Sequence, residues 1–121
     1  KGRPYVIKGS ETLATKIFSD KMHKGFTGTA GGFYGPQGRV LRLDIQDNDL
    51  NTKMDNFSFK GIRMTNLEME TAAIYGLGKL LGHECLSLNA IIANRATGDF
   101  SSNPYQVVED LIEYTLEKLV N

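Results

Sequence analysis

The feature that most constrains the fold is the nearly continuous apolar run Cys85–Ala93, which is interrupted only by Ser87 and Asn89. Such a run is typical of a strand that is covered on both faces by helices. We therefore predict a central strand here, in a sheet flanked by helices. Asn94 and Arg95 follow this strand directly. In open α/β sheets, ligands usually bind at the carboxyl ends of the strands, so these two residues mark a candidate binding edge.

The rest of the chain alternates between strand and helix patterns. Ser10 is predicted to cap a helix that runs to about Met22. Short strands are predicted at Lys24–Ala30 and Gly61–Met64, and the glycines in the first indicate a close approach of another backbone segment. A last helix begins near Pro104. Its inner face is an apolar stripe at helical spacing, made of Val107, Val108, Leu111, Ile112, Thr115, Leu116 and Leu119. The fold class is therefore α/β.

Two acids separated by one methionine, Glu68 and Glu70, open a further helical pattern. Thr65 followed by Glu68 three residues later predicts a helix that starts near Thr65, and Gly82 is a candidate C-cap. Glu68 is therefore explained equally well as a capping residue of this helix and as a residue of a functional site. Glu70 has two explanations: an acid that favours the positive end of the helix dipole, or a carboxylate that accepts hydrogen bonds from a sugar diol.

The loop Gly31–Arg39 is rich in turn residues, yet it carries Phe33, Gln37 and Arg39. It lacks the lysine and the spacing of known phosphate loops, which argues against a phosphate cradle. A glutamine amide has one acceptor and two donors, which fits the edge of a pyrimidine-dione. A neighbouring arginine could stabilise negative charge on a departing base, and Phe33 could pack on a ring or a sugar. An ordinary surface turn with a solvated arginine is the alternative.

Composition excludes several classes of protein. The 121 residues carry 14 basic and 14 acidic side chains, and this zero formal charge argues against a nucleic-acid surface. One cysteine cannot form an internal disulfide and suits a reducing compartment. We expect no signal peptide, no membrane span and no metal site. The chain opens on Lys1 rather than on methionine, and we expect it to begin partway through a gene product.

Three motifs together carry a resemblance to a known family. The segments Phe33–Arg39, Glu68–Glu70 and Ile91–Arg95 resemble the carboxyl half of uridine phosphorylase, in the same order and at matching spacing. The resemblance covers nearly the whole chain. It implies that Phe33 lines the nucleoside pocket, that Gln37 and Arg39 bind uracil, and that Met69 and Glu70 hold the ribose hydroxyls, beside Glu68. It also implies that Ile92 and Ala93 line the base pocket, with Arg95 close by.

The resemblance implies reversible phosphorolysis, in which uridine and phosphate give uracil and ribose 1-phosphate. Arg39 and Glu70 would be the catalytic residues, and phosphate would be a co-substrate with no organic cofactor. The implied fold is part of a mixed sheet flanked by helices. In that family the phosphate site lies in the amino-terminal half and is completed by a neighbouring subunit. We therefore expect residues 1–121 to be the carboxyl-terminal portion of a cytoplasmic enzyme that forms homo-oligomers, hexamers built from dimers, and to be inactive alone.

Two other functions stay open at this point. A purine-specific phosphorylase or nucleosidase of the same superfamily would typically have a Ser-Asp pair after the late core strand, where this chain has Asn94 and Arg95. The third possibility is a non-catalytic chain that binds nucleosides or serves assembly. The sequence does not distinguish uridine from deoxyuridine or thymidine as the preferred substrate.

Overall fold

The computed structural model describes residues 3–121, and helices and strands alternate along them as an α/β chain. The elements are α1 (Glu11–Ile17), β1 (Phe26–Thr29), a 3-10 turn (Gly35–Gln37), α2 (Leu50–Asp55), β2 (Ser58–Phe59), β3 (Ile62–Glu68), α3 (Thr71–Leu80), β4 (Ala93–Asn94), β5 (Asp99–Phe100) and α4 (Pro104–Val120). The predicted α/β class is confirmed. None of the helices in the described range is long and apolar enough to cross a membrane.

The main sheet has three strands in the order β1-β3-β2. Strands β1 and β3 are parallel, and their last paired residues are Thr29 and Glu68. Strand β2 is antiparallel to β3. Gly28 leaves room for the Leu67 side chain of β3, because a Cβ atom there would come within 2.7 Å of Leu67 Cδ2. Since β1 and β3 run in the same direction, their carboxyl ends lie at one edge of the sheet, where loops can bring polar side chains together.

Helix α1 begins as predicted but ends early. The hydroxyl of Ser10 accepts a hydrogen bond from the Leu13 N–H at 3.0 Å, which is the expected cap. The predicted extension to Met22 is wrong, because Phe18 leaves the helical conformation at φ −57° and ψ 139°. Ile17, at the end of α1, is 3% exposed. Its carbonyl accepts a hydrogen bond from the Tyr114 hydroxyl of α4 at 2.7 Å, so the two helices are joined at this point.

The predicted helix start at Thr65 is wrong. Thr65 lies in the middle of β3, which pairs with β2 through Ile62 and Arg63 and with β1 through Met64 and residues 66–68. Strand pairing before and after Thr65 keeps this segment extended, so tertiary context overrides the local capping pattern. Helix α3 begins instead at Thr71, and Glu70 is its N-cap residue.

The predicted C-terminal glycine of α3 is confirmed. Gly82 has φ +76°, a left-handed conformation that glycine adopts without strain. The chain then turns back, and the His83 N–H donates to the Gly78 carbonyl at 2.8 Å. This bond satisfies one of the carbonyls that the helix end leaves without a partner.

Replacing Gly82 by alanine is expected to lower the free energy of unfolding by about 1 kcal/mol, because alanine adopts the left-handed conformation at a cost. Apart from its chain neighbours, no atom of residues 3–121 lies within 4 Å of the position of a new Cβ there, so the backbone conformation alone sets the effect. Gly76, inside α3, is the matched control, because its Cβ position is equally open. Gly76→Ala should raise stability by about 0.5–1 kcal/mol. Urea unfolding of both variants tests this; equal effects of the same sign would contradict it.

The predicted central strand at Cys85–Ala93 does not form within the described part of the chain. Residues 85–92 have no regular secondary structure, and Ala93 and Asn94 pair with Phe100 and Asp99 in a short hairpin. The side chain of Ile91 is 55% exposed. An apolar run becomes a buried central strand only when other strands lie on both sides of it. Residues 3–121 provide no strand on either side of Cys85–Ala93.

The amphipathic faces of the two long helices also lack cover. The predicted stripe of α4 forms, but Ile112 is 53% exposed and Leu116 is 56% exposed. On α3, Leu77 is 60% exposed. Apolar surface of this extent marks a contact face rather than a solvated one. The described residues therefore form little buried hydrophobic core of their own.

Candidate functional site

Four side chains converge beside the sheet, although they come from distant parts of the sequence. Phe33, Gln37 and Arg39 belong to the loop that follows β1, and Arg95 follows β4. Hydrogen bonds and a ring contact join all four, and we refer to them as the Gln37 cluster. The structure thus brings Phe33, Gln37, Arg39 and Arg95 together in one place.

Gln37 is at the centre of the cluster and is only 3% exposed. Its side-chain oxygen Oε1 accepts hydrogen bonds from Arg39 Nη1 and from Arg95 Nη2, both at 2.8 Å. Its backbone carbonyl accepts a third bond from Arg95 Nη1 at 2.5 Å. Guanidinium groups can only donate, so Oε1 must face the two arginines. The amide nitrogen Nε2 therefore points to the other side, where it has no partner among residues 3–121.

The local sequence explains how this glutamine becomes buried. The 3-10 turn Gly35–Gln37 ends at Gly38, which has φ +73°. A Cβ atom on Gly38 would come within 2.1 Å of the Asn51 side chain, so only glycine fits this position. Asn51, in α2, donates from Nδ2 to the Gly38 carbonyl at 3.0 Å. Helix α2 therefore holds the turn, and the turn directs Gln37 inward.

Arg39 covers one face of Phe33. Its guanidinium carbon lies 3.7 Å from the ring centroid, and its Nη1 also donates to the Phe33 carbonyl. Phe33 is still 50% exposed, so part of the ring is accessible to a ligand. Partial burial, and then the positive charge of Arg39, lower the pKa of Arg95. Two guanidinium groups that share one neutral amide leave an excess of positive charge, which suits a ligand that carries or develops negative charge.

A second cluster lies at the carboxyl ends of β1 and β3. The Thr29 hydroxyl donates to Glu68 Oε1, and Glu68 Oε2 accepts from the backbone N–H groups of Glu70 and Thr71, both at 2.6 Å. Partial burial by itself raises the pKa of Glu68, but these hydrogen bonds together outweigh it and the pKa lies below its usual range. Glu68 therefore caps α3, as one reading of the sequence predicted, although Thr65 is not its partner.

Glu70 is exposed, and its carboxylate has no hydrogen bond or ion pair within residues 3–121. Met69 beside it is 40% exposed. Ile92 and Ala93 are also exposed, and they interact through their backbones with the strand that follows them: the Ile92 carbonyl accepts from the Ser101 N–H at 2.8 Å, and Ala93 pairs with Phe100. Within residues 3–121, these four predicted site residues therefore make no hydrogen bond to the Gln37 cluster.

Thr29 is a polar member of the site that the sequence analysis missed. Its hydroxyl also accepts a hydrogen bond from the Ala72 N–H at 3.0 Å, 43 residues away. Its position near the end of a predicted strand was the one feature of the sequence that pointed to a role in the site. The parallel register that puts Thr29 opposite Glu68 is a tertiary property, which the sequence pattern does not show. Within the described range, no three acidic, histidine or cysteine side chains lie close enough to hold a metal ion.

Comparisons with known proteins found two similar chains. No protein-family model matches the chain. A uridine phosphorylase from Thermococcus kodakarensis is 30% identical over 95 residues, which are 78% of this chain and 32% of that protein. A nucleoside phosphorylase from Trypanosoma brucei that shows uridine phosphorylase activity superposes with a TM-score of 0.77 at 22% identity, over 94% of this chain and 42% of that one.

The chain thus spans about a third of the length of the curated relative it matches, and less than half of the solved structure. The structural likeness extends over nearly all of the described elements and gives the fold. The sequence likeness extends over most of the chain. By sequence and by fold, the chain is similar to part of a uridine phosphorylase and has part of the nucleoside phosphorylase fold.

Proposed function

We propose that this chain supplies the base and ribose sites of an enzyme that phosphorolyses a pyrimidine nucleoside, uridine or a close relative. The observation that carries the proposal is the buried Gln37 amide, which two arginines hold in one orientation. In the reaction, a phosphate oxygen forms a bond to C1′ of the ribose while the C1′–N1 bond breaks. The electron pair of that bond goes to the base, which leaves as an anion.

The base site would work through the free side of Gln37. With Oε1 occupied by Arg39 and Arg95, Nε2 is free to donate to a ring carbonyl oxygen of uracil. Arg39 has five donors, so it can keep one bond to the cluster and give another to the second carbonyl. That bond strengthens as negative charge develops on the base, and it therefore stabilises the transition state more than the bound substrate. Ile92 and Ala93 would line the base pocket.

The ribose site would be built from the turn between β3 and α3. The free Glu70 carboxylate can accept hydrogen bonds from the two ribose hydroxyls, while Met69 packs against the sugar ring. Glu68 would contribute by holding this turn, since both of its oxygens already accept hydrogen bonds. The phosphate site would come from the part of the enzyme that precedes this chain and from a neighbouring subunit of a dimer-based hexamer. No covalent nucleophile or organic cofactor is required.

The proposal is tested by assaying the natural gene product that contains this chain with uridine and with inosine, in the presence and absence of phosphate. We expect phosphate-dependent release of uracil and much slower release of hypoxanthine. Preferred cleavage of inosine would contradict the pyrimidine assignment. Base release that does not depend on phosphate would indicate a hydrolase instead. Binding of uridine without cleavage would indicate a non-catalytic nucleoside-binding protein.

Glu70→Gln is expected to reduce kcat/KM for uridine about tenfold, with a raised KM and a lowered kcat. The amide keeps the shape and one acceptor oxygen but loses the charge, and a hydrogen bond to a charged group contributes about 1.5 kcal/mol or more. The melting temperature should not change, because the carboxylate has no partner within the described chain. Steady-state kinetics and thermal unfolding of the same preparation test both parts. Unchanged activity with a lowered melting temperature would mean that Glu70 is structural.

A further inference from the structure

We propose that Thr29 and Glu68 are positioning residues that keep the Glu70 carboxylate free for the ribose. The inference rests on the proposed function for the identity of the ligand, but its structural basis is independent of it. Thr29 ends β1, Glu68 ends β3, and both contact the first turn of α3. We call this pair the Thr29–Glu68 clasp.

The first step concerns the start of α3. The first N–H groups of a helix have no partner inside the helix, and the side chain of the N-cap residue usually accepts from one of them. Glu70 is the N-cap residue of α3, yet its side chain makes no such bond. The clasp takes its place: Glu68 Oε2 accepts from the Glu70 and Thr71 N–H groups at 2.6 Å, and Thr29 Oγ1 accepts from the Ala72 N–H at 3.0 Å.

The second step concerns the side chain at position 29. A hydroxyl can donate one hydrogen bond and accept others at the same time. Thr29 uses both capacities, because it donates to Glu68 Oε1 and accepts from Ala72. The strand register makes this possible: Thr29 lies opposite Glu68, and the Ala30 N–H donates to the Glu68 carbonyl at 2.9 Å. The hydroxyl therefore ties the end of β1 to the start of α3.

The third step concerns Glu70. Without the Thr29 hydroxyl, the Ala72 N–H would lose its acceptor, and the N-cap carboxylate of Glu70 is the usual acceptor for a group in that position. Glu70 would then turn back onto its own helix, and it would have to break that bond before it could accept from a sugar. The clasp thus satisfies the helix from another element and leaves Glu70 available.

The test is Thr29→Val in the natural gene product, with Thr29→Ser as the conservative variant and Thr27→Val as the matched control. Thr27 lies two residues earlier on β1, and its hydroxyl also donates to a side chain of β3, Asn66 Oδ1, at 2.9 Å. Kinetics are measured with uridine and with 2′-deoxyuridine, which offers Glu70 one hydroxyl fewer. Amide hydrogen exchange is measured separately at residues 70–72, with no substrate present.

For Thr29→Val we expect kcat/KM to fall about tenfold for uridine and about threefold for 2′-deoxyuridine, mainly through KM. Thr29→Ser should restore both values, and Thr27→Val should leave their ratio unchanged. Exchange at residues 70 and 71 should become faster in Thr29→Val only, because Glu68 loses the Thr29 hydroxyl that orients its carboxylate. Ala72 should exchange no faster, because Glu70 becomes its acceptor. Equal losses on the two substrates, or unchanged exchange, would overturn the inference. If the parent protein does not cleave uridine at all, the proposed function fails, and the exchange result still decides whether the clasp exists.

Discussion

Replacing Arg39 by alanine is expected to slow the phosphorolysis of uridine about a hundredfold, which corresponds to about 3 kcal/mol of lost transition-state stabilisation. Arg39 is the member of the Gln37 cluster that can donate to a developing anion while it stays in contact with Phe33 and Gln37. The loss should fall on kcat, because the charge on the base is largest in the transition state. Binding of ribose 1-phosphate should change little, since the sugar contacts belong to Glu70.

Arg42→Ala is the matched control for this prediction. Arg42 lies three residues further along the same loop and is exposed, so the substitution removes the same charge outside the Gln37 cluster. Steady-state kinetics with uridine should distinguish the two variants by about two orders of magnitude. A normal rate for Arg39→Ala would remove Arg39 from the base site. Equal losses in the two variants would mean that general positive charge, rather than a contact with the base, is responsible.

A polypeptide limited to these 121 residues is expected to phosphorolyse uridine at least about a thousandfold more slowly than a full-length relative. Positioning of two reactants can supply about 7–11 kcal/mol of the barrier reduction, and it requires a bound phosphate. Several basic side chains of the described range are engaged elsewhere. Arg63 lies 3.6 Å from Asp55, Lys53 binds Asp47 at 2.8 Å, and Arg39 and Arg95 hold Gln37.

The measurement is uracil release from uridine with and without phosphate, on material whose mass matches this chain alone. The Thermococcus kodakarensis uridine phosphorylase, which resembles this chain over 95 residues, is a suitable positive control. We also expect the short polypeptide to self-associate, because Leu77 of α3 and Leu116 of α4 are more than half exposed. Phosphate-dependent turnover close to that of the control would contradict the view that this chain supplies only the base and ribose sites.

Features that depend on local chemistry could be predicted from the sequence. Ser10 caps α1 and Gly82 follows α3, as their residue types indicate. In both cases the partners of the deciding hydrogen bond lie within a few residues of each other in the sequence, so a local pattern is enough to predict the feature.

Features that depend on distant neighbours could not be predicted in the same way. The pattern at Thr65 and Glu68 fits a capping box, but the pairing of the residues before and after Thr65 makes it part of a strand. The apolar run that ends at Ala93 predicts a buried strand, yet burial needs neighbours that residues 3–121 do not supply. Arg95 reaches Gln37 across 58 positions of sequence, and Thr29 reaches Ala72 across 43. Register and tertiary contact decide these features, and no local pattern encodes them.

The central claim is that the Gln37 cluster binds a pyrimidine base, and a crystal structure of the natural gene product with uracil and ribose 1-phosphate tests it most directly. The account predicts that one ring carbonyl oxygen lies within about 3.2 Å of Gln37 Nε2 and the other within the same distance of the Arg39 guanidinium. It also predicts that Gln37 Oε1 keeps its bond to Arg95. Uracil bound away from these side chains, with both arginines still on Oε1, would contradict the claim.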